Sequence, residues 1–389
     1  MKNKFIPLSS PDITEKEIES VINVLRTPRL SLGPKLLEFE QKFAGYIGSK
    51  HAVAVNSGTS GLHLAIKSLG IGEKDAVITT PFSFIASANC LLYENALPIF
   101  VDIEPGTFNI DPERIEEFLE KNCRKEKKTK KIVDRETGRY VRAILPVHVF
   151  GHPCEMDKIM ELAGEYNLHV IEDACEATGA EFKGEKVGTF GDIGVFAFYP
   201  NKQITTGEGG MIVTNDDKIA RLCRSFRNQG RDGDKGWLNH SRLGYNYRIS
   251  EINCALGIAQ LERIDEILKK RERVASLYNE SLRDYVKVPE TSDGAKRSWF
   301  VYVMCLPDKY SKRFRDKILA ELSKKGIGSN KYFPPIHLQP FYRKMFGYAK
   351  GDYEVTEYIS ERTIALPFHN NLNGKIITYV ANSLKEILA

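Results

Sequence analysis

Three short apolar runs within residues 169–215 constrain this chain more than any other feature. The first, His169 to Ile171, stops at the acidic pair Glu172-Asp173. The second, Ile193 to Phe198, stops at Tyr199-Pro200, and the third covers Met211 to Thr214. Runs this short, apolar and bounded by glycine, proline or acid, read as buried strands rather than helix segments. An α/β sheet carries its working groups outside the carboxyl ends of its strands. With the first two strands parallel, Asp173 and Lys202 stand at that edge, the lysine followed by Gly207, Gly209 and Gly210. The expected fold class is therefore α/β.

A lysine facing a buried aspartate is, in its plain reading, an ion pair. Its chemical reading is a pyridoxal phosphate site. There the lysine amine condenses with the cofactor aldehyde and later moves protons, while the aspartate pairs with the pyridinium nitrogen. Only an anion holds that proton, so Asn cannot replace Asp. Guanidinium does not lose its proton to become a nucleophile, so Arg cannot replace Lys.

An earlier stretch reads as an anion seat. Ala52 to Val55 is strand-like and ends in Asn56-Ser57-Gly58-Thr59-Ser60-Gly61, after which Leu62, Ala65, Ile66 and Leu69 recur at helical spacing. A helix N-terminus presents free N–H groups and the positive end of the dipole, which suits a phosphate as well as a simple N-cap. No Walker loop and no strand-bound G-x-G-x-x-G are present, which argues against ATP and NAD.

The wording of these stretches, EDACEATGA, KVGTFGDIG and FAFYPNKQITTGEGGMIVTND, closely resembles the DegT/DnrJ/EryC1/StrS family of pyridoxal-phosphate-dependent nucleotide-sugar aminotransferases. So do LSLGP, NSGTSGLHLAIKSLGIG, PIFVDIEPGTFNID, PVHVFGHPCEMD, FRNQGRD, GYNYRISEINCALGIAQL and PPIHLQPFY, in the family's order along nearly the whole chain. The resemblance implies a fold-type-I transferase: a large domain over residues 1–255 and a smaller α+β domain over 256–389, entered by one long helical region from Ile252 to Leu282. Lys202 and Asp173 become the catalytic pair. Ser57, Gly58, Thr59 and Ser60 become the phosphate seat, and Ala88 lies by position against one ring face, with Phe82 and Phe84 read as core. Asn246 reaches from one subunit to the cofactor phosphate of the other, making a homodimer with a composite site. Arg231, Tyr332 and His337, with Tyr342 nearby, become the substrate contacts. The implied substrates are a nucleotide-linked keto-sugar and glutamate as amino donor. The run ITTGEGG after Lys202 resembles members that aminate C4 of a 4-keto-6-deoxy sugar; the alternatives are amination at C3, dehydration, and a non-catalytic nucleotide-sugar binder. Dehydrating relatives carry His in place of the lysine, and a silent binder needs neither Lys202 nor Asp173.

Three positions depart from the family pattern. Glu176 stands where Gln or His is usual, so two anions would meet at the cofactor's phenolic oxygen unless one keeps a proton. Ala197 replaces a common Ser, and Cys175 a common Ala. Residues 121–141 form an insertion with six basic residues between Arg124 and Lys131, read as a charged, solvated hairpin.

Composition narrows the remaining classes. A net charge of +5 is too small and dispersed for nucleic acid, yet suits an anionic substrate. No signal-like or membrane-length apolar run is seen, and the seven cysteines lack C-x-x-C spacing, so reduced thiols in the cytoplasm are expected. His148, His152 and Cys154 match no closed metal-site spacing, and no metal is expected.

Overall fold

The computed structural model describes residues 5–232 and 239–389. Seven short strands carry the central sheet: β1 (His51–Val55), β2 (Asp75–Thr79), β3 (Leu97–Phe100), β4 (Tyr140–Leu145), β5 (His169–Asp173), β6 (Ile193–Ala197) and β7 (Gly210–Thr214). Their lateral order is β1-β7-β6-β5-β4-β2-β3. Neighbours pair in parallel except at β7, which runs antiparallel to both β6 and β1.

Side chains alternate across each strand and so feed two separate cores. Val53, Val55, Val195 and Ile212 pack with Leu62 and Ile66 of helix Gly58–Ser68. Ala54, Phe196, Met211 and Val213 pack on the other face with Phe39 and Phe43 of helix Pro34–Ile47. The Phe43 and Phe196 rings meet edge-on at 5.1 Å. Each fully buried phenylalanine here contributes about 1.5–3 kcal/mol over exposure.

Strand register then assembles one working edge. Val55 and Ala197 both pair with Gly210, and Val195 pairs with Asp173. The turn after β1, the segment after β6 and the last residue of β5 therefore emerge side by side.

The basic insertion is a hairpin, as its sequence suggests. Cys123–Lys125 pairs with Ile132–Asp134, whose inner residues pair with the start of β4. Its six basic side chains are exposed, while Cys123, Ile132 and Val133 hold it to the body.

Two elements are shorter than their sequences suggest. An apolar run from Val141 to Phe150 reads as one strand, yet β4 ends at Leu145 before Pro146. Phe150 then adopts a left-handed φ of 54° within a single tight turn. The helical region from Ile252 to Leu282 is two helices, Glu251–Leu261 and Ile264–Leu282. They part at Arg263, whose guanidinium lies 2.7 Å from Glu17 and 3.4 Å from Asp12 and ties the joint to the N-terminal segment.

A second core lies beyond. Helices Ile264–Leu282, Lys312–Lys324 and Gly374–Leu388 pack over the antiparallel pair Tyr302–Cys305 and Thr363–Leu366. Tyr278 and Tyr302 stack at its centre, 4.8 Å apart. Residues 6–8 join this unit although they begin the chain: Ile6 accepts from the Gly328 N–H at 2.8 Å, and Leu8 accepts from that of Phe368 at 2.9 Å. No helix among the described residues is long and apolar enough to cross a membrane.

Candidate active site

Strand β5 ends in two acids that the pleat sends to opposite sides. Glu172 turns into the protein, where the N–H groups of Gly188, Phe190 and Gly191 donate to it at 2.7, 2.8 and 2.8 Å, and His148 Nε2 lies 3.1 Å away. It fixes the turn that leads into β6. Asp173 faces a cavity of about 510 Å³ outside the sheet edge. The Ser87 hydroxyl donates to its Oδ2 at 2.7 Å, and the Cys175 N–H donates to its Oδ1 at 3.1 Å.

Lys202 enters the same cavity from the turn after β6, which is closed by its own N–H bonding the Tyr199 carbonyl at 2.9 Å. Its Nζ lies 3.6 Å from Glu176 Oε1 and 3.9 Å from the Phe300 ring centroid. Behind it, Arg271 donates to the Lys202 carbonyl at 2.8 Å and to those of Trp299 and Phe300 at 3.2 and 3.1 Å. Burial lowers the Arg271 pKa to about 10, against the opposing charge of Asp12.

Glu176 is buried at the cavity wall and takes the Phe150 N–H on Oε2 at 2.9 Å. Burial raises its carboxyl above the ordinary range, and the positive charge of Lys202 opposes that rise. A carboxyl that keeps its proton removes the clash of two anions expected at this position.

Ser57 caps the helix after β1, its Oγ accepting from the Ser60 N–H at 3.1 Å, while Ser60 Oγ donates to Asn56 Oδ1 at 2.7 Å. Ser57, Gly58 and Thr59 line the cavity at this helix N-terminus, whose first N–H groups have no partner within the helix, whereas the expected Ser60 does not line it. A Cβ on Gly58 would lie 2.7 Å from Ala197 Cβ and 2.9 Å from Cys175 Sγ, so the two departures from the family wording pack directly beneath this glycine.

Tyr332 also lines the cavity, with Phe333 beside it, and both rings stack on Phe150, at 6.3 and 5.2 Å. Other expected contacts lie elsewhere. Ala88, expected against a ring face, does not line the cavity: it is fully buried with Phe100, Ile336 and Tyr342, one helix position round from Ser87. His337 is not a cavity residue either; it is buried, with Nε2 3.1 Å from Glu357. Tyr342 is buried too, bonding Asn89 at 3.0 Å, so residues 336–342 form a strap holding the segment after β2. Arg231 bridges back to His240 and donates to Gln229 at 3.1 Å, outside the cavity lining; the middle of its loop, 233–238, lies outside the described residues. Asn246 is exposed and does not line the cavity of its own chain. Phe84, expected in the core, is 60% exposed at the cavity mouth.

Sequence reasoning missed Ser87, Tyr199, Asn201, Glu208 and Phe300, all cavity residues. Ser87 carried one usable signal, its four-residue spacing from Ser83 at the start of a helix that follows a strand end. Phe300 carried none, because it arrives from the C-terminal part of the chain.

Pyridoxal phosphate fits these residues. The two Asp173 oxygens each hold one donor, and an ionised carboxylate has about four acceptor positions, so a ring N–H can be added. Lys202 shares the space, and the helix N-terminus can seat the phosphate. Fold and site together define a fold-type-I pyridoxal-phosphate-dependent transferase.

Comparison with known proteins resolves the class further. The pattern of the DegT/DnrJ/EryC1/StrS aminotransferase family matches residues 11–385. A GDP-perosamine synthase of Caulobacter vibrioides is 38% identical, over 98% of this chain and 98% of its own. The UDP-4-amino-4,6-dideoxy-N-acetyl-beta-L-altrosamine transaminase of Campylobacter jejuni is 35% identical, over 98% and 97% respectively. Among solved structures, the pyridoxal-phosphate form of the putative sugar aminotransferase Spr1654 from Streptococcus pneumoniae superposes with a TM-score of 0.88 at 25% identity, covering 99% of this chain and 98% of that one. The chain belongs to the DegT/DnrJ/EryC1/StrS aminotransferase family and is a pyridoxal-phosphate-dependent sugar aminotransferase.

Proposed function

We propose that this enzyme aminates the C4 keto carbon of a nucleotide-linked 4-keto-6-deoxy sugar, with glutamate as donor, as a cytoplasmic homodimer. The observation that carries the catalytic reading is the convergence of Lys202 and Asp173 on one cavity at the carboxyl edge of the sheet. The C4 assignment rests on the run ITTGEGG after Lys202 and is supported by the Campylobacter relative, whose name specifies a 4-amino-4,6-dideoxy sugar. We take residues 1–255 and 256–389 as the two domains, with residues 6–8 returning to the second.

When bound, pyridoxal phosphate supplies an aldehyde that accepts the amino group and a ring that draws electrons from the adjoining carbon. Lys202 would hold the aldehyde end of the cofactor and would move a proton at the substrate carbon. Asp173 would keep the ring nitrogen protonated. Ser57, Gly58 and Thr59 would hold the phosphate through hydroxyl and helix N–H groups. Glu176, its carboxyl pKa raised by burial and its Oε1 3.6 Å from Lys202 Nζ, would donate its proton to the phenolic oxygen. Phe84, Tyr199 and Tyr332 give the mouth aromatic walls against which a deoxysugar's apolar face can rest.

The test is an amination screen of 4-keto and 3-keto nucleotide sugars with glutamate, read by product mass and by the position of the new amine. Amination of 3-keto sugars alone would overturn the C4 reading. A colourless purified protein, with no borohydride-fixed adduct on Lys202, would overturn the assignment of the anchoring lysine.

A further inference from the structure

We propose that Ser87 is a positioning residue for Asp173: it fixes the carboxylate in place and sets how strongly that carboxylate holds the ring-nitrogen proton. The proposal deepens the reading of Asp173 as ring-nitrogen partner and rests on it. Ser87 is the second residue of helix Ala86–Leu92, which follows β2, and is 1% exposed. Its Oγ lies 2.7 Å from Asp173 Oδ2, 2.9 Å from Ser83 Oγ and 3.2 Å from the Phe84 carbonyl. A hydroxyl has one proton to give. Bonds to an ionised acceptor are roughly twice as strong as neutral ones, so that proton goes to the nearer, charged oxygen. The Ser83 hydroxyl is then free to donate to Ser87, which makes a two-step relay from Ser83 through Ser87 to Asp173. Such chains polarise in one direction and strengthen each link.

The other oxygen, Oδ1, takes the Cys175 N–H at 3.1 Å. Two elements far apart in sequence, the helix after β2 and the turn after β5, thus pin the two oxygens of one buried carboxylate. A carboxylate held at both oxygens cannot rotate away from a ring nitrogen. Loss of the Ser87 donor makes Asp173 a stronger base, so the shared proton moves from the ring toward the carboxylate and the ring withdraws electrons less well.

The test compares Ser87→Ala, Ser83→Ala, Asp173→Asn and the Ser87→Ala/Asp173→Asn double variant. Three readouts are taken: affinity of the cofactor-free protein for pyridoxal phosphate, the absorption band of the bound cofactor, and kcat with KM. Ser87→Ala is expected to lower kcat about tenfold to hundredfold, the range for a hydrogen bond to a charged group. The sugar KM should stay within about threefold, since the contact is not to substrate. The band should shift and cofactor affinity fall, with smaller changes in the same direction for Ser83→Ala. In the Asp173→Asn background Ser87→Ala should add nothing, because the charged acceptor is already gone. Native kcat, band and affinity in Ser87→Ala, beside their loss in Asp173→Asn, would overturn the role of Ser87 and leave Asp173 standing. An equal Ser87→Ala effect in both backgrounds would likewise overturn it, as a purely structural contribution. Native activity in Asp173→Asn would sink the Asp173 reading itself.

Discussion

Glu176 faces a choice between pairing as an anion with Lys202, 3.6 Å away, and staying neutral in a buried wall. Burial is the larger influence and raises its pKa. The sign of the consequence follows directly. Below the ordinary carboxyl pKa both folded and unfolded chains are protonated, and the residue is neutral toward stability. As pH rises past that value the unfolded chain ionises while the folded one keeps its proton, so folding is progressively disfavoured until the raised pKa is reached. Each unit of that interval is worth about 1.4 kcal/mol. Glu176→Gln removes the penalty, keeps an acceptor for the Phe150 N–H, and should stabilise cofactor-free protein at neutral pH but not at about pH 4. Thermal unfolding of both proteins across pH checks this; a native protein more stable than the variant near pH 8 would mean an ionised, paired Glu176. The variant should also keep much of its activity with a flatter pH profile. At Gly58, an added methyl presses on Ala197 and Cys175. Gly58→Ala should cost about 1–3 kcal/mol of stability, the usual range for overpacking, and weaken cofactor binding in an equilibrium titration.

Among the elements, the segment Ser298 to Phe300 does most to connect the two cores. The Ser298 N–H bonds the Gly151 carbonyl at 2.9 Å, and its hydroxyl bonds that of Thr178 at 2.6 Å. Gly151, at φ 78°, has room for no side chain, since a Cβ would fall 1.7 Å from the Ser298 carbonyl oxygen. Arg271, from the long helix, then bonds the carbonyls of Lys202, Trp299 and Phe300 at once. Arg271→Met would strand two buried carbonyls and one partly buried one, and should lower unfolding free energy by about 3 kcal/mol or more, read by denaturant titration. It should also loosen the Lys202–Phe300 contact, raising the rate at which an amine-reactive probe labels Lys202 in cofactor-free protein.

These same elements show where sequence could and could not be read. β5, β6 and β7 were legible because each is a short apolar run with a hard stop at both ends. The helices Asp217–Arg227 and Gly374–Leu388 are marked in the sequence as well, since acid or Asn caps and apolar periodicity coincide there. Arg271 and Phe300 were illegible: nothing local tells a helix arginine that its partners are backbone carbonyls of a distant turn. The break at Arg263 has no glycine or proline to announce it and comes from ion pairs with residues 12 and 17. His337 sits in a proline-rich run that reads as surface loop, yet its strap is folded under helix Glu354–Ser360. Ala88, expected to face the cavity, is turned away from it, while Ser87, about 100° round the same helix, lines it.

At the scale of the whole molecule, Asn246 lies on the surface of its own chain, away from the lining of that chain's cavity. Tyr245 and Tyr247 turn inward, stacked at 5.0 Å, with hydroxyls on Glu94 and His63 at 3.0 Å each. Strand-like alternation therefore sends Asn246 outward, where it is exposed. Helix Glu15–Leu25 likewise leaves Ile18, Ile22 and Leu25 at 42%, 39% and 55% exposure, an apolar row that a second copy would cover. Under the homodimer proposed above, Asn246 of one subunit serves the phosphate held by the other, and the two sites can be dissected genetically. Lys202→Ala and Asn246→Ala should each be strongly impaired alone. In a mixed dimer one site inherits both defects, while the other combines an intact Lys202 from one chain with an intact Asn246 from its partner. Refolding the two variants together at equal amounts should then restore about a quarter of native activity, since half the dimers are mixed and each has one sound site of two. Activity no greater than the average of the two variants would show that each subunit builds its phosphate seat from its own residues alone.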